Sequence, residues 1–188
     1  VTVREDLLTT LAPDALVVDL VNDEVLTVKD LLDCMMVGSG NDAAVVLADH
    51  IMGSQQAFVD EMNRYAQELG CTATNFTNVH GLHDDAQYTT ARDMAKIFAK
   101  AIQNPQLCEL MGLKNITVPQ TNKSEERHLV SQNFLINNDK NISYYDERII
   151  AGRTGIADDR SRCVASVAQV DSMQLICIVM GAKSQYEK

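Results

Sequence analysis

The last part of the chain constrains the fold most. Arg148 to Ile156, Arg162 to Val170 and Met173 to Gly181 are each strand-sized and rich in Ile, Val and small residues. Only Asp171-Ser172 separates the last two, the length of a tight hairpin turn. Three such segments in succession predict an antiparallel β-meander. Leu175-Ile176-Cys177-Ile178-Val179-Met180 does not alternate, so this strand is expected to be covered on both faces.

Upstream the apolar period becomes helical. Thr27 and Asp30 have the capping-box spacing, and Leu31, Leu32, Met35 and Met36 follow on one face. Gly38-Ser39-Gly40 breaks the pattern, because two glycines around a serine release the backbone. Asn41 or Asp42 can then cap a second helix running through Ala43 to Ala48. Gly53 ends it, Ser54 caps the next, and Phe58, Met62, Tyr65, Ala66 and Leu69 recur at helical spacing up to Gly70. Residues 71–89 read as a polar loop with small strand-like pieces. Thr90 with Asp93 repeats the capping spacing before a stripe of Met94, Ile97, Phe98, Ala101 and Ile102, which stops at Asn104-Pro105. Residues 112–147 are polar and carry no clear period. The layout is α+β: a connecting segment over 1–25, a helical lobe over 26–147, and the meander over 148–188.

Composition narrows the function. The 188 residues are 46% hydrophobic and 22% charged, a globular balance with enough chain for a sizeable core. The formal net charge of -10 disfavours nucleic acid, whose binding draws on basic patches. No apolar run approaches the ~20 residues that span a bilayer. The chain opens Val1-Thr2-Val3-Arg4, so the natural N-terminus is expected to lie upstream. The five cysteines form no Cys-x-x-Cys pair, and Cys34, Cys163 and Cys177 are expected as buried free thiols in apolar stretches.

No complete catalytic set is visible. Ser39 lacks the outer glycines of a Gly-x-Ser-x-Gly elbow, and there is no His-Glu-x-x-His, Walker or dinucleotide glycine motif. His80 and His83, beside Asp84 and Asp85, read as a solvated turn rather than a metal site. No metal or organic cofactor is implied. Two short pieces remain. In Ser39-Gly40-Asn41 a hydroxyl that can relay a proton sits two residues from an amide that can donate and accept. In Arg153-Thr154-Gly155 a cation and a hydroxyl suit a carboxylate, and the glycine leaves room for a ligand backbone. Each alone is also compatible with an ordinary role, a capped helix break and a solvated strand.

Taken in order, these pieces resemble the serine D-alanyl-D-alanine carboxypeptidases, the low-molecular-weight penicillin-binding proteins. The resemblance lies in Leu26-Thr27-Val28-Lys29-Asp30-Leu31-Leu32 leading to Val37-Gly38-Ser39-Gly40-Asn41-Asp42-Ala43-Ala44. It continues in Asn78-Val79-His80-Gly81-Leu82, in Tyr88-Thr89-Thr90-Ala91-Arg92-Asp93, and in Ala151-Gly152-Arg153-Thr154-Gly155. It runs from about residue 16 to residue 182 and implies part of the penicillin-binding/β-lactamase-like transpeptidase fold, a helical lobe plus a three-stranded remnant of the central sheet. It implies acyl transfer through a covalent serine intermediate on stem peptides ending in D-Ala-D-Ala, with β-lactams acylating the same serine. By match, Ser39 helps relay the proton and Asn41 holds the substrate amide. Arg153 and Thr154 of the Arg153-Thr154-Gly155 triplet hold the terminal carboxylate, and the Ile156 backbone N–H is one oxyanion donor. The family works outside the cytoplasmic membrane.

The chain departs from the family pattern in three places. No Ser-x-x-Lys occurs, so the nucleophile and its base are absent from these residues, and the polypeptide alone is expected to be inactive and to form no β-lactam adduct. Arg153 stands where the family has Lys, which keeps carboxylate binding but removes a cation able to give up its proton. The run Asp158-Asp159-Arg160-Ser161-Arg162 is more charged than the family pattern implies. Two other readings keep the same cleft: a non-catalytic module recognising D-Ala-D-Ala or muropeptide ends, and a β-lactamase-related hydrolase. The family's first strands would precede this chain. The Met173–Gly181 strand is therefore expected to present an apolar edge to an N-terminal segment or to a second copy.

Overall fold

The computed structural model describes residues 1–138, 143–158 and 161–183. They form two compact units built from alternating stretches of chain. One comprises Val1–Val59, Asn78–His80 and Lys114–Gln132, the other Asp60–Thr77, Gly81–Leu113 and Asn133–Lys188.

The first unit is organised around one buried helix. α1 (Glu5–Leu8) and α2 (Val28–Met36) both pack on α3 (Asn41–Met52). Every residue of α3 from Asn41 to Ala48 is buried. An apolar surface on all sides is what a central helix needs. Ala43, Ala44 and Ala48 let neighbours approach closely, and Val45, Val46 and Leu47 supply the burial, about 1.5–3 kcal/mol each. Thr27 starts α2 with the expected reciprocal capping box: its hydroxyl accepts from the Asp30 N–H while the Asp30 carboxylate accepts from the Thr27 N–H. Gly53 ends α3 at φ 77°, a left-handed conformation that glycine adopts without strain.

Two features of this unit differ from expectation. The N-cap of α3 is Gly40, not Asn41 or Asp42, and no side chain caps it. Asp42 sits two residues past the cap position, and its carboxylate accepts from three backbone amides, described below. The periodless stretch 112–147 also contains an antiparallel hairpin of β1 (Asn115–Val118) and β2 (Arg127–Val130), in which Ile116 faces Leu129 and Thr117 faces His128. Four-residue strands are too short to show a period, but Val118 and Leu129 bury their side chains.

The second unit carries the meander. β3 (Ile149–Asp158), β4 (Ser161–Val170) and β5 (Met173–Ala182) form one antiparallel sheet in the order β3-β4-β5. Asp171 takes φ 51° in the turn between β4 and β5, and Asp tolerates that region by bonding locally. α4 (Gln55–Glu68) enters the unit from the first. α5 (Ala91–Ala101), capped by Thr90, packs on β5 and β4. A helix absent from the sequence reading, α6 (Pro105–Gly112), packs against β3. Its start is legible in hindsight: Asn104 caps it by accepting from the Gln106 and Leu107 N–H groups, and Pro105 occupies the first turn where no donor is needed.

β5 is not covered on both faces. Met173, Leu175, Val179 and Met180 are 58%, 53%, 41% and 38% exposed, and Cys177 is exposed as well. The reason is position: β5 is the outermost strand of the sheet, and among the described residues α5 is the helix that packs on it. A continuous apolar run records what a strand can bury, not what stands beside it. Of the three thiols expected to be buried, Cys34 is, Cys163 is half-buried and Cys177 is open. Asp159 and Arg160, in the charged run after Gly155, lie outside the described residues.

Candidate active site

The Ser39 turn belongs to the first unit and is held with little freedom. The end of α2 wraps back on itself: the Val37 N–H donates to Asp33 O at 2.9 Å and the Gly40 N–H to Cys34 O at 3.0 Å. Between them Ser39 takes φ 57°. The other non-glycine residues with positive φ among the described residues are Asp19, Asp23 and Asp171, a type that tolerates that region through local hydrogen bonds. A serine there is strained by about 1–3 kcal/mol, and strain of this kind gathers at functional sites. Gly38 and Gly40 cannot be replaced without movement. A Cβ on Gly38 would stand 2.7 Å from Val18 Cγ1 and 2.8 Å from Cys34 O, and one on Gly40 would stand 2.8 Å from Asp42 Oδ1.

The half-buried Ser39 hydroxyl and the largely buried Asn41 amide make no side-chain hydrogen bond among the described residues. Asn41 is held instead through its backbone, whose N–H donates to Leu16 O at 2.8 Å. A hydroxyl and an amide without a protein partner among the described residues are groups that a ligand could bond. The next residue does the opposite. The Asp42 carboxylate accepts from the N–H groups of Val18 (3.1 Å), Leu20 (3.0 Å) and Ala43 (2.9 Å). Burial pushes its pKa up, against the pull of those three backbone donors.

The second piece lies in the second unit, on the outermost strand β3. Arg153 faces Ala165, Thr154 faces Val164, Gly155 faces Cys163 and Ile156 faces Arg162 on β4. The order β3-β4-β5 leaves the other edge of β3 unpaired within this sheet. Register shifts bracket the segment, between Ile149 and Ala151 and between Ile156 and Asp158, and such bulges commonly re-aim side chains beside sites. The Thr154 hydroxyl makes no hydrogen bond among the described residues. Gly155 is exposed, and a Cβ there would meet nothing closer than Cys163 Cβ at 3.9 Å.

Arg153, Thr154, Gly155 and Ile156 line a groove of about 330 Å³ within this unit, with Phe76, Tyr88 and Thr89 from the loop before α5. Burial pulls the Arg153 guanidinium below its ordinary pKa, yet guanidinium remains a cation in proteins at neutral pH. A cation among the lining of a largely apolar groove, with the Thr154 hydroxyl next to it in sequence, suits a short peptide ending in a carboxylate.

Each sequence-predicted residue therefore lies on a defined element of its own unit. Ser39 and Asn41 stand at the α2–α3 break, and Arg153 to Ile156 stand on β3. The sequence reading gave no site role to Phe76, Gln87, Tyr88 and Thr89, which line the groove, or to Val18, whose side chain stands over Gly38 and Gly40. The pair of glycines around Ser39 signals that something packs closely there, but nothing local says what. His83 bonds Asp85 at 3.2 Å on the surface.

The family described as D-alanyl-D-alanine carboxypeptidase matches residues 1–184. The chain is 38% identical over 157 residues to the D-alanyl-D-alanine carboxypeptidase DacA of Haemophilus influenzae, covering 83% of this chain and 37% of that protein. It is 34% identical over 167 residues to DacF of Bacillus subtilis, covering 88% and 40% respectively. Penicillin-binding protein 5 of Haemophilus influenzae superposes with a TM-score of 0.83 at 33% identity, over 97% of this chain and 50% of that structure. The chain thus spans about two fifths of the length of these curated relatives, and its α+β fold is part of the penicillin-binding peptidase fold. On the family match along residues 1–184 and on identities above 30% across more than four fifths of its length, the chain belongs to the D-alanyl-D-alanine carboxypeptidase family.

Proposed function

We propose that this chain is the Ser-x-Asn and cation-Thr-Gly portion of a serine-type D-Ala-D-Ala carboxypeptidase that trims peptidoglycan stem peptides. The observation that carries the reading is the Ser39 turn: a serine strained at φ 57°, held by the backbone bonds of Gly40 and Asn41 beside it, with its hydroxyl and the amide of Asn41 making no hydrogen bond among the described residues. In this reading Ser39 relays a proton to the leaving D-Ala amine, and Asn41 holds the substrate amide. Arg153 and Thr154 bind the terminal carboxylate. Gly155 admits the peptide backbone along β3, and the Ile156 N–H donates to the developing oxyanion. The acyl-accepting serine and its lysine base come from a Ser-x-x-Lys segment not found in these residues. β-Lactams are ligands of the same site once that segment is present.

The test has two arms. The complete natural protein should release D-Ala from a peptide ending in D-Ala-D-Ala, and Thr154→Val should raise KM more than it lowers kcat. The 188-residue polypeptide treated with penicillin should show no acyl adduct by mass spectrometry; a stable acyl-serine on it would overturn the assignment of the nucleophile.

The site of action is extracytoplasmic in this reading, and no helix among the described residues is long and apolar enough to cross a membrane. The outermost position of β5 and its exposed Met173, Leu175 and Val179 support pairing of that edge with a further strand of the protein or with a second copy. Sedimentation of the polypeptide as a monomer at every concentration would remove the second option.

A further inference from the structure

Behind the Ser39 turn the first unit holds a polar cluster that the proposed chemistry does not use. Glu24 is 0% exposed and Arg127 on β2 only 11%. Their contact is a two-pronged pair, with Arg127 Nη1 donating to Glu24 Oε1 at 2.7 Å and Nη2 to Oε2 at 2.8 Å. Thr121 donates its hydroxyl to the same carboxylate at 2.7 Å. Arg127 has further donors, and two of them reach the chain that runs beneath Ser39. Nε donates to Val18 O and Nη2 to Asp19 O, both at 2.9 Å.

Val18 is consequently gripped from both sides. Arg127 holds its carbonyl, and Asp42 accepts from its N–H at 3.1 Å. Its isopropyl group occupies the space over both glycines of the turn. The Cβ that Gly38 lacks would lie 2.7 Å from Val18 Cγ1, and the one that Gly40 lacks would lie 3.0 Å from Val18 Cγ2. A single residue thus presses on Cα 38 and Cα 40 and leaves Ser39 between them in its left-handed conformation. The Leu16 carbonyl, two residues away on the same strand of chain, takes the Asn41 N–H.

We propose that Arg127 is a positioning residue for the Ser39–Asn41 turn, acting through Val18 with Glu24 as its anchor. It touches no substrate. Its guanidinium is suited to the task because it can bind a carboxylate with two donors and still serve two carbonyls. A lysine ammonium in its place keeps the charge opposite Glu24 but cannot reach all four acceptors.

The inference rests on the proposed reaction, so its test carries a readout independent of turnover. In the complete natural protein, Arg127→Lys should lower kcat for D-Ala release by roughly tenfold to a hundredfold, the size expected when a reacting group is displaced by about 1 Å. KM should rise by a smaller factor than kcat falls, because the Asn41 contact to the substrate amide shifts with the turn while the carboxylate site on β3 is untouched. Amide exchange at Val18 and Leu20 should accelerate, and a crystal structure of the variant should show Ser39 moved from its positive φ. Val18→Ala keeps the whole ion-pair network and empties the space over the two glycines. It should reproduce the kcat loss even if Arg127→Lys fails to fold. Unchanged kcat in folded Val18→Ala, or unchanged exchange at Val18 and Leu20 in Arg127→Lys, overturns the proposal. If the wild-type protein releases no D-Ala, the functional reading is what fails, and the exchange rates and the Ser39 conformation still decide whether Arg127 sets the turn.

Discussion

The Ser39 turn and the Arg153 strand reach their conformations by opposite physical means. The turn is made by tertiary force: an arginine 88 positions along the chain, a fully buried glutamate and a valine side chain hold one serine in a conformation it would not choose. The strand is made by local pattern. Arg153 to Ile156 are extended because a β-strand is extended, and their site is the edge the sheet leaves open. A site of the first kind is fixed and vulnerable at a distance; a site of the second kind is robust and vulnerable only in its own residues.

Breaking the buried pair should produce the largest effect on stability. Arg127→Ala strands a fully buried carboxylate and should lower the unfolding free energy by about 3–5 kcal/mol, read by urea denaturation. Acid probes the same pair. Burial alone would raise the Glu24 pKa, but donation from Arg127, Thr121 and the Val21 N–H outweighs it and holds the carboxyl below its ordinary 4.5. A carboxyl depressed in the folded state stabilises the fold above its unfolded value, and that contribution is lost as pH falls through the folded value. Stability should therefore decline on acidification below about 4.5, and Glu24→Gln should remove this part of the decline. An acid limb identical in wild type and Glu24→Gln would show that the pair does not distinguish the charged carboxyl.

The same contrast explains which features were legible in the sequence. The three strands appeared within a residue or two because their signals are local: apolar runs of strand length and a two-residue turn. The helices around Ser39 were legible from capping residues and glycines. Ser39, Asn41 and the Arg153 triplet could be picked out as residue types suited to the chemistry. What held them could not. The Arg127–Glu24 pair joins positions 103 apart, and in sequence Arg127 is one charged residue in a polar stretch. The short hairpin containing it fell below the length at which alternation shows. Exposure of β5 was misjudged for a related reason, since the run Leu175–Met180 gives the strand's own character and not its neighbours.

Glycine substitutions sharpen the comparison at intermediate size. Gly38→Ala forces a methyl to within 2.7 Å of Val18 and 2.8 Å of a backbone carbonyl. The carbonyl cannot yield cheaply, so overpacking of about 1–3 kcal/mol is expected. Gly155→Ala meets only Cys163 Cβ at 3.9 Å and should leave the denaturation midpoint unchanged. Its effect should appear as weaker binding of a D-Ala-terminated peptide, because the methyl stands where a ligand backbone would approach. Equal stability losses in the two variants would erase the distinction between a glycine required by packing and one required by access.

The smallest expected difference concerns two Thr-x-x-Asp sequences that look alike and are used differently. At Thr27 both halves of the capping box form, with the Asp30 N–H on the Thr27 hydroxyl at 3.0 Å and the Thr27 N–H on Asp30 at 3.1 Å. At Thr90 only the first half forms, at 3.2 Å. The Asp93 carboxylate turns away to accept from the Ala73 N–H at 2.9 Å, the Thr74 hydroxyl at 3.0 Å and Lys96 at 3.0 Å. These donors, the Ala73 amide foremost, hold Asp93 below the usual carboxylate range. Asp93 therefore ties the loop after α4 to the start of α5, while Asp30 only closes its own helix. Thr27→Ala should cost about 1 kcal/mol, the ordinary value of a lost cap, and Asp30→Ala no more than that. Asp93→Ala should cost more than Asp30→Ala and should speed exchange at the Ala73 amide, which a lost cap alone would not do. Matching losses from the two aspartates, with Ala73 exchange unchanged, would show that the loop is held by its other contacts and that Asp93 is a cap like any other.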